Sequence, residues 1–196
     1  MADGESVPRL VLISGATGVG KTTLAKAVAH EMGLARIASS DTIREVMRAT
    51  ASSSDPALNR SSYGRGEVGD AGTDWEDAAR AVEPGIDAVV ERARQQGVDL
   101  VLEGVHLIPS RRLLSAWETA GGAAVGVIVK IEDEATHRER IEEREANTWR
   151  GAERYRIGFE RIRSIQRIIE EKGAGAERAV SARLPAPDSM RRPGWS

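Results

Sequence analysis

The chain of 196 residues carries 30 acidic and 28 basic side chains, a formal net charge of −2, and no cysteine. This length predicts one domain with a substantial core, and the balanced charge argues against a general attraction to nucleic acid or to a membrane. The lack of cysteine excludes disulfides, thiolate metal sites and cysteine nucleophiles. No apolar run is long enough to span a membrane, and residues 1–8 are unlike a signal peptide, so we expect a cytoplasmic protein with a flexible start.

Residues 15–22, with the sequence GATGVGKT, form the most informative motif in the chain. They fit the pattern G-x-x-x-x-G-K-[ST] and lie between an apolar run at 10–13, which predicts a buried strand, and a predicted helix at 23–32. In this context the pattern is typical of a phosphate-binding P-loop, whose backbone N–H groups and following helix N-terminus face phosphate oxygens. The predicted nucleotide-binding residues are Gly15, Ala16, Thr17, Gly18, Val19, Gly20, Lys21, Thr22 and Thr23.

Two side chains of this loop have specific predicted roles. Lys21 is expected to reach the β- and γ-phosphates and to serve catalysis, and the hydroxyl of Thr22 is expected to bind Mg²⁺. The predicted cofactors are therefore ATP and Mg²⁺.

After a weak strand at 35–39, Asp41 is predicted to cap a helix over 42–49. Its carboxylate is also placed to accept a proton from an acceptor hydroxyl, or to orient that hydroxyl, and the two roles are compatible. Arg44 shares a helix face with Asp41 and is a candidate for the acceptor's anionic group, with a solvated surface arginine as the alternative. Arg48 is a weaker candidate for the same anion site.

Residues 51–74 are rich in Ser, Gly and Asp and predict a mobile acceptor or lid segment. A long helix is expected over 75–96, in which Pro84 kinks or divides the helix. A buried strand follows at 98–102, and it ends in Glu103-Gly104-Val105-His106.

Glu103 and His106 are the candidates at the end of that strand. Phosphate-transfer enzymes often hold Mg²⁺ through an acidic residue that follows a buried strand, so Glu103 is predicted to have this role, with a salt bridge as the alternative. For His106 the alternatives are a substrate contact and simple packing, and the residues alone favour packing.

A short helix at 111–120 and a strand at 125–131 continue the alternation of strands and helices. This order predicts an α/β fold in which helices cover both faces of a parallel sheet. In such sheets ligands bind beyond the carboxyl ends of the strands, where the P-loop, Asp41 and Glu103 to His106 are all expected. Charged helices at 133–145 and 153–172 follow. Residues 174–196 contain Pro185, Pro187 and Pro193 and are expected to be a tail, in which 178–182 fit a strand poorly.

The helix at 133–145 opens an arginine-rich, lid-like region over 133–156. Arg140 and Arg144 lie four residues apart and therefore on one face, where they would neutralise charge on a transferring phosphoryl group. Many glutamates surround them, so a salt-bridged solvent helix is an equal alternative.

Several segments together resemble the archaeal-type 2-phosphoglycerate kinase family. These are SSDTIREVMR at 39–48, SSY at 61–63, LEGVHLIP at 102–109, His137-x-x-Arg140, and the RY…F-x-x-IR-x-IQ pattern over 154–166. The resemblance covers about residues 9–172 and implies a three-layer P-loop NTPase/kinase fold over 9–173 and ATP-dependent phosphorylation of a hydroxyl on a small anionic acid. It also implies that Asp41, Arg44, Glu103 and His106 are site residues and that Tyr63 contacts the substrate.

Three functional hypotheses remain open at this point. The first is a small-molecule kinase acting on 2-phosphoglycerate or a related hydroxy acid, with a small anionic acceptor and neither nucleic acid nor membrane as its partner. The second is a nucleoside monophosphate or sugar-acid kinase on the same scaffold, although the 4% aromatic content offers little for base stacking. The third is a nucleotide-dependent switch without transfer activity. The sequence leaves the oligomeric state open, with a homodimer as one option.

Overall fold

The computed structural model describes residues 7–51, 55–108, 110–146, 153–174 and 179–183. Its five strands form one sheet in the order β2-β3-β1-β4-β5, with every neighbouring pair parallel. The strands are β1 (Arg9–Ser14), β2 (Ile37–Ser39), β3 (Leu100–Gly104), β4 (Ala123–Lys130) and β5 (Ala179–Arg183).

Helices cover both faces of this sheet. They are α1 (Lys21–Met32), α2 (Ser40–Thr50), α3 (Pro56–Asn59), α4 (Ala71–Gln95), α5 (Arg111–Thr119), α6 (Glu134–Ala146) and α7 (Glu153–Ala174).

Side chains of β1 alternate between two cores, as the pleat of a strand requires. Val11 and Ile13 pack with α1 and α7 on one face, whereas Leu10 packs with α4 and Trp117 of α5 on the other. The predicted three-layer α/β fold is thus confirmed, and the P-loop follows β1 at its carboxyl end.

The start of α2 corrects one prediction. Its N-cap is Ser39, whose hydroxyl accepts a hydrogen bond from the Asp41 N–H at 3.3 Å. The Asp41 side chain is therefore not the cap, because the helix begins at Ser40, two residues before the predicted start at residue 42. Asp41 instead lies in the first helical turn, with its side chain 67% exposed.

Pro84 does not divide the long helix, which runs without interruption from Ala71 to Gln95. Proline removes the hydrogen bond to the carbonyl four residues earlier, here that of Arg80. Both Pro84 and Arg80 are exposed, so water can satisfy that carbonyl. Buried Val82 and Ile86 hold the helix against the sheet on either side of the proline.

Residues 51–74 contain more structure than their composition indicates. Asp55 caps α3, and Asp70 caps α4, which starts four residues before the predicted helix at 75–96. Mobility of this segment stays a prediction.

The expectation of a tail from residue 174 is wrong for 179–183, which form β5 along the edge of β4. Backbone hydrogen bonds to an existing edge define such a strand, so its weak side-chain pattern gave little signal.

Among the helices in the described ranges, none combines the length and the apolar character that crossing a membrane requires.

Candidate active site

The P-loop joins the end of β1 to the start of α1. Lys21 Nζ donates to the carbonyl of Ala16 at 2.7 Å, which folds the lysine back over the loop. Gly20 is the N-cap of α1 at φ 96° and makes no side-chain capping bond, and no acidic residue lies in the first turn. The positive end of α1 is therefore left for an anion from outside the helix.

Thr22 and Glu103 meet as the sequence predicts. The Thr22 hydroxyl donates to Glu103 Oε1 at 3.0 Å. Their meeting follows from strand order, because β1 and β3 are neighbours and Ile13 pairs with Glu103. Glu103 is 6% exposed. A hydroxyl and a carboxylate side by side suit Mg²⁺, which prefers a few protein oxygens and completes its shell with water and phosphate. These two residues thus fit the ion that a P-loop requires.

Charged side chains of both signs lie around Lys21. Burial lowers the pKa of Lys21 to about 8, and Arg144 adds to the lowering. The carboxylates of Glu103 and Asp41 act in the opposite direction and favour the charged lysine. The predicted phosphate, metal and acceptor groups are therefore close enough to influence one another.

α6 packs directly on the loop. Gly18 lies at φ +86°, and a Cβ there would overlap the side chain of Ile141. His137 Nε2 contacts the Thr17 carbonyl at 2.8 Å. A side chain at position 18 would separate the helix from the loop, so this glycine is required by close approach as well as by its dihedral angle.

A cleft of about 360 Å³ opens beside the P-loop, between the start of α1 and α6. Arg140 and Arg144 both line it, which agrees with their predicted shared face. The lining residues are Gly18, Gly20, Lys21, Thr22, Thr23, Arg140, Glu143 and Arg144. Residues 147–152 of the predicted lid-like region lie outside the described residues.

The loop after β3 fits tightly against α2. A Cβ on Gly104 would overlap Ser40 Oγ, so the E-G-V-H motif needs glycine at its second position. Ser40 is fully buried, and its Oγ lies 3.1 Å from His106 Nδ1. The Asp41 Oδ1 atom lies 3.5 Å from the same nitrogen. The loop therefore sets the position of Asp41 through its neighbour Ser40.

His106 lies beneath the site and is 2% exposed. Burial lowers its pKa to about 4, although Asp41 opposes the shift. The imidazole is neutral at pH 7 and supports the start of α2, which favours the packing alternative. Its role as a substrate contact stays a prediction.

Two further hydrogen bonds hold the same loop, and no pattern in the sequence predicts them. Trp75 Nε1 donates to the Val105 carbonyl at 2.8 Å, and Ser14 Oγ donates to the Leu107 carbonyl at 2.7 Å. Both donors are buried, so the loop that carries His106 is fixed from two sides.

Arg44 is not a solvated surface arginine, because its guanidinium group bonds to other groups of the protein. Its Nη1 donates to the carbonyls of Leu58 and Arg60 at 3.0 and 2.9 Å, and its Nη2 pairs with Glu45 at 2.6 Å. Arg44 thus ties α2 to α3. Arg48 lies on the surface, where it also pairs with Glu45. Binding of an acceptor anion by either arginine stays a prediction.

Tyr63 is buried rather than open to the cleft. Its ring centroid lies 5.3 Å from that of Tyr155, and only 9% of the residue is exposed. Burial raises its pKa to about 12. This placement gives the side chain a packing role between the 61–70 loop and α7, while its substrate contact stays a prediction.

Arg161 of α7 organises the 61–70 loop. It donates to the carbonyls of Tyr63, Gly64 and Gly69 at 2.8 to 3.2 Å and to the buried carboxylate of Asp74 at 2.7 Å. Burial of Asp74 opposes its charge, but hydrogen bonds from Gly66 and Arg161 outweigh that effect and hold its pKa below the usual range. No local pattern in the sequence predicts this pair, because its partners lie 87 residues apart.

Known proteins resemble this chain in sequence and in fold. The family described as "AAA domain" matches residues 10–171. Proteins named 2-phosphoglycerate kinase from Methanopyrus kandleri and Methanothermobacter thermautotrophicus are 36% and 34% identical over 174 and 179 residues. These matches cover 84% of this chain but 53% and 57% of the relatives, so the chain spans little more than half their length.

Solved structures agree on the fold. A putative kinase from Chloroflexus aurantiacus and a gluconokinase from Sinorhizobium meliloti superpose with TM-scores of 0.55 and 0.51 at 17% and 15% identity. Each match covers 94% of this chain and 89% of the other. At such identities the likeness concerns the fold alone. Because the family match extends over most of the sequence, the chain belongs to the AAA domain family, and its resemblance to the 2-phosphoglycerate kinase family is confirmed.

Proposed function

We propose that this chain is an ATP-dependent phosphotransferase that acts on the hydroxyl of a small anionic acceptor, such as 2-phosphoglycerate or a related hydroxy acid. The observation that carries the proposal is the exposed carboxylate of Asp41, which, like that of Glu103, lies close enough to Lys21 to favour its charged form. A P-loop alone supports nucleotide binding, whereas an exposed carboxylate beside it supports transfer to a second substrate.

Each residue of the site has a separate role in such a transfer. Lys21 and the N-terminus of α1 hold the phosphates, and Thr22 and Glu103 hold Mg²⁺. The ion, when bound, offsets negative charge on the phosphate oxygens. Arg140 and Arg144 of α6 line the cleft and neutralise charge on the phosphoryl group during its transfer.

Asp41 orients the acceptor hydroxyl and receives its proton. The acceptor oxygen forms a bond to the γ-phosphorus while the bond from that phosphorus to the β,γ-bridging oxygen breaks, so that ADP leaves. The exposure of Asp41, 67% of its side chain, leaves it open to an incoming hydroxyl. His106 beside it is neutral, so it places no positive charge against the carboxylate, and such a charge would weaken Asp41 as a proton acceptor.

The choice of acceptor rests on the relatives. The similar archaeal proteins are named for phosphorylation of 2-phosphoglycerate, a small acid. Arginines near the cleft favour an anion of this type, and the low aromatic content offers few surfaces for a nucleobase.

The proposal is tested by measuring ADP formation from Mg-ATP with and without an acceptor. The panel contains 2-phosphoglycerate, glycerate, sugar acids and nucleoside monophosphates, and Lys21→Ala is the inactive control. We expect one hydroxy acid to stimulate ADP release and to gain one phosphoryl group by mass. Stimulation by a nucleoside monophosphate instead would assign the acceptor to the nucleotide class, and slow ADP release that no compound accelerates would contradict transfer.

A further inference from the structure

One buried histidine outside the predicted catalytic set connects α6 to the phosphate loop. His137 is fully buried, and its Nε2 lies 2.8 Å from the carbonyl oxygen of Thr17. That carbonyl belongs to the peptide unit that also contains the N–H of Gly18. In a trans peptide the C=O and the N–H point to opposite sides. Holding the Thr17 carbonyl on His137 therefore turns the Gly18 N–H away from α6.

The other ring nitrogen fixes which tautomer makes this contact. Arg163 Nη1 lies 3.3 Å from His137 Nδ1. A guanidinium can only donate, so Nδ1 must accept and the ring proton must reside on Nε2. The imidazole thus donates to the Thr17 carbonyl. Burial, with Arg163 adding to its effect, lowers the pKa of His137 to about 4, so the ring is neutral at pH 7.

Arg163 is itself held at the end of β4. It is 7% exposed, and it donates to the carbonyls of Ile131 and Glu132 at 2.7 and 2.9 Å. The contacts form a continuous path from the sheet through Arg163 and His137 to the loop. The ring of Phe159 supports His137 edge to face at a centroid distance of 5.5 Å.

The same helix carries the arginines that line the cleft. Arg140 and Arg144 follow His137 at spacings of three and seven residues, so the three residues share a helix face directed at the loop. Ile141 completes the contact by packing against Gly18. Whatever fixes His137 therefore also fixes the position of these arginines relative to the P-loop.

We propose that His137 is a positioning residue for phosphate binding: its Nε2–H holds the Thr17 carbonyl so that the Gly18 N–H faces the nucleotide, and the same contact sets α6 and its arginines over the cleft. This inference rests on the proposed nucleotide-binding function of the loop. His137 does not touch the reacting atoms, and it acts through the peptide unit between Thr17 and Gly18.

The test compares His137→Gln with His137→Leu. The glutamine amide retains a donor near the position of Nε2, whereas leucine fills similar space without one. Affinity for Mg-ATP is measured by titration calorimetry, and thermal unfolding reports stability separately. We expect His137→Leu to weaken ATP binding about tenfold or more, the scale of one lost hydrogen bond, and His137→Gln to recover most of the affinity. The matched control is His30→Gln, because His30 is exposed on α1.

A purely structural role gives a different pattern. Both variants would then lower the unfolding temperature while the folded protein kept its wild-type affinity for ATP, and this result would overturn the inference. Failure of the wild-type protein to bind ATP would instead contradict the proposed function itself.

A measurement on the wild-type protein covers the case in which His137→Leu does not fold. Nitrogen-15 NMR of labelled histidine distinguishes the two tautomers and the charged form. We expect His137 to remain the neutral Nε2–H tautomer from pH 5 to pH 9. A proton on Nδ1, or titration near the ordinary histidine pKa of about 6.5, would overturn the inference.

Discussion

The hydroxyl of Thr22 donates a hydrogen bond of 3.0 Å to the carboxylate of Glu103, which lies 81 residues away in the sequence. Thr22 is the second residue of α1, which follows β1, and Glu103 lies in the strand β3 next to β1, so the parallel pairing of β1 with β3 creates the contact. The pair supplies two oxygens where the metal of a P-loop protein is expected.

Replacing the carboxylate should therefore change the metal dependence. In Glu103→Gln the side chain keeps its size but loses its charge, so we expect Mg²⁺ to half-saturate activity at a concentration at least about tenfold higher, with turnover lower by about a hundredfold. Thr22→Ser retains the hydroxyl and is the matched control, for which we expect a nearly unchanged Mg²⁺ dependence and turnover. The measurement is the initial rate as a function of Mg²⁺ at fixed ATP. An unchanged Mg²⁺ dependence in Glu103→Gln would remove Glu103 from the metal site.

Nucleotide binding should weaken at alkaline pH, because Lys21 loses its charge there. Its pKa is lowered to about 8 by burial, so the free protein loses this charge above that pH. Phosphate favours the charged lysine and raises the pKa in the complex, so binding takes up a proton at pH values between the two pKa values. We expect ATP affinity to be level below about pH 8 and to fall up to about tenfold per unit above it. Calorimetry in buffers of different ionisation enthalpy measures the proton uptake.

Arginine at position 21 provides the control for this titration. Lys21→Arg keeps its charge at all these pH values, so any binding that it retains should be independent of pH in the same range. Equal affinity of the wild-type protein at pH 7.5 and 9.5, without proton uptake, would contradict the assignment.

Gly104 should tolerate no side chain. The Cβ in Gly104→Ala would overlap Ser40 Oγ and displace the start of α2, where Asp41 lies. We expect a loss of about 1–3 kcal/mol in the free energy of unfolding and a lower turnover. Adding Ser40→Gly should restore part of the stability, since it removes the obstructing hydroxyl. Gly126→Ala is the control, because its Cβ would make an ordinary contact with Leu114. Urea denaturation measures each variant, and equal stability of the two alanine variants would refute the overlap.

Breaking the pair of Arg161 and Asp74 should destabilise the part of the domain that contains the 61–70 loop. Arg161→Met leaves a carboxylate that is 1% exposed without its cation, at an expected cost of about 3 kcal/mol. The 61–70 loop also loses the donors that hold three of its carbonyls. Urea denaturation measures the loss, and a wild-type midpoint would show that the pair contributes little.

The pair of Arg161 and Asp74 should also make the stability of the protein fall at acid pH. The pKa of Asp74 is held below its usual range, so its contribution is present above the unfolded value of about 4 and is lost as pH falls. Asp74→Asn should therefore have a lower unfolding temperature at pH 7 and a shallower decline from pH 5 to pH 3. Asp77→Asn is the control, since Asp77 is 53% exposed. A wild-type acid profile in Asp74→Asn would contradict this origin.

The sequence predicts those parts of the site that depend on local pattern and strand order. The P-loop is a continuous motif, and Glu103 lies near the carboxyl end of a buried strand, so the parallel sheet brings them together. The face shared by Arg140 and Arg144 follows from helix periodicity alone.

Features that depend on long-range packing were not predicted. The true N-cap, Ser39, precedes an aspartate that is an equally good capping residue. Arg44 bonds to carbonyls of α3, and His137 bonds to a carbonyl of the P-loop. Any residue supplies a carbonyl, so no residue type in the sequence marks such a partner. The segment similar to His137-x-x-Arg140 in the related family was the one signal, and it gave no role to the histidine.

The most direct test of the proposed transfer is a comparison of the wild-type protein with Asp41→Asn in product formation and in ATP affinity. Phosphorus NMR follows the acceptor found in the panel, and calorimetry gives the dissociation constant for Mg-ATP. Because asparagine cannot take the acceptor's proton, we predict that product formation falls by about a hundredfold or more while ATP affinity is nearly unchanged. Wild-type product formation in folded Asp41→Asn would contradict the role of Asp41 and with it the basis of the proposed function.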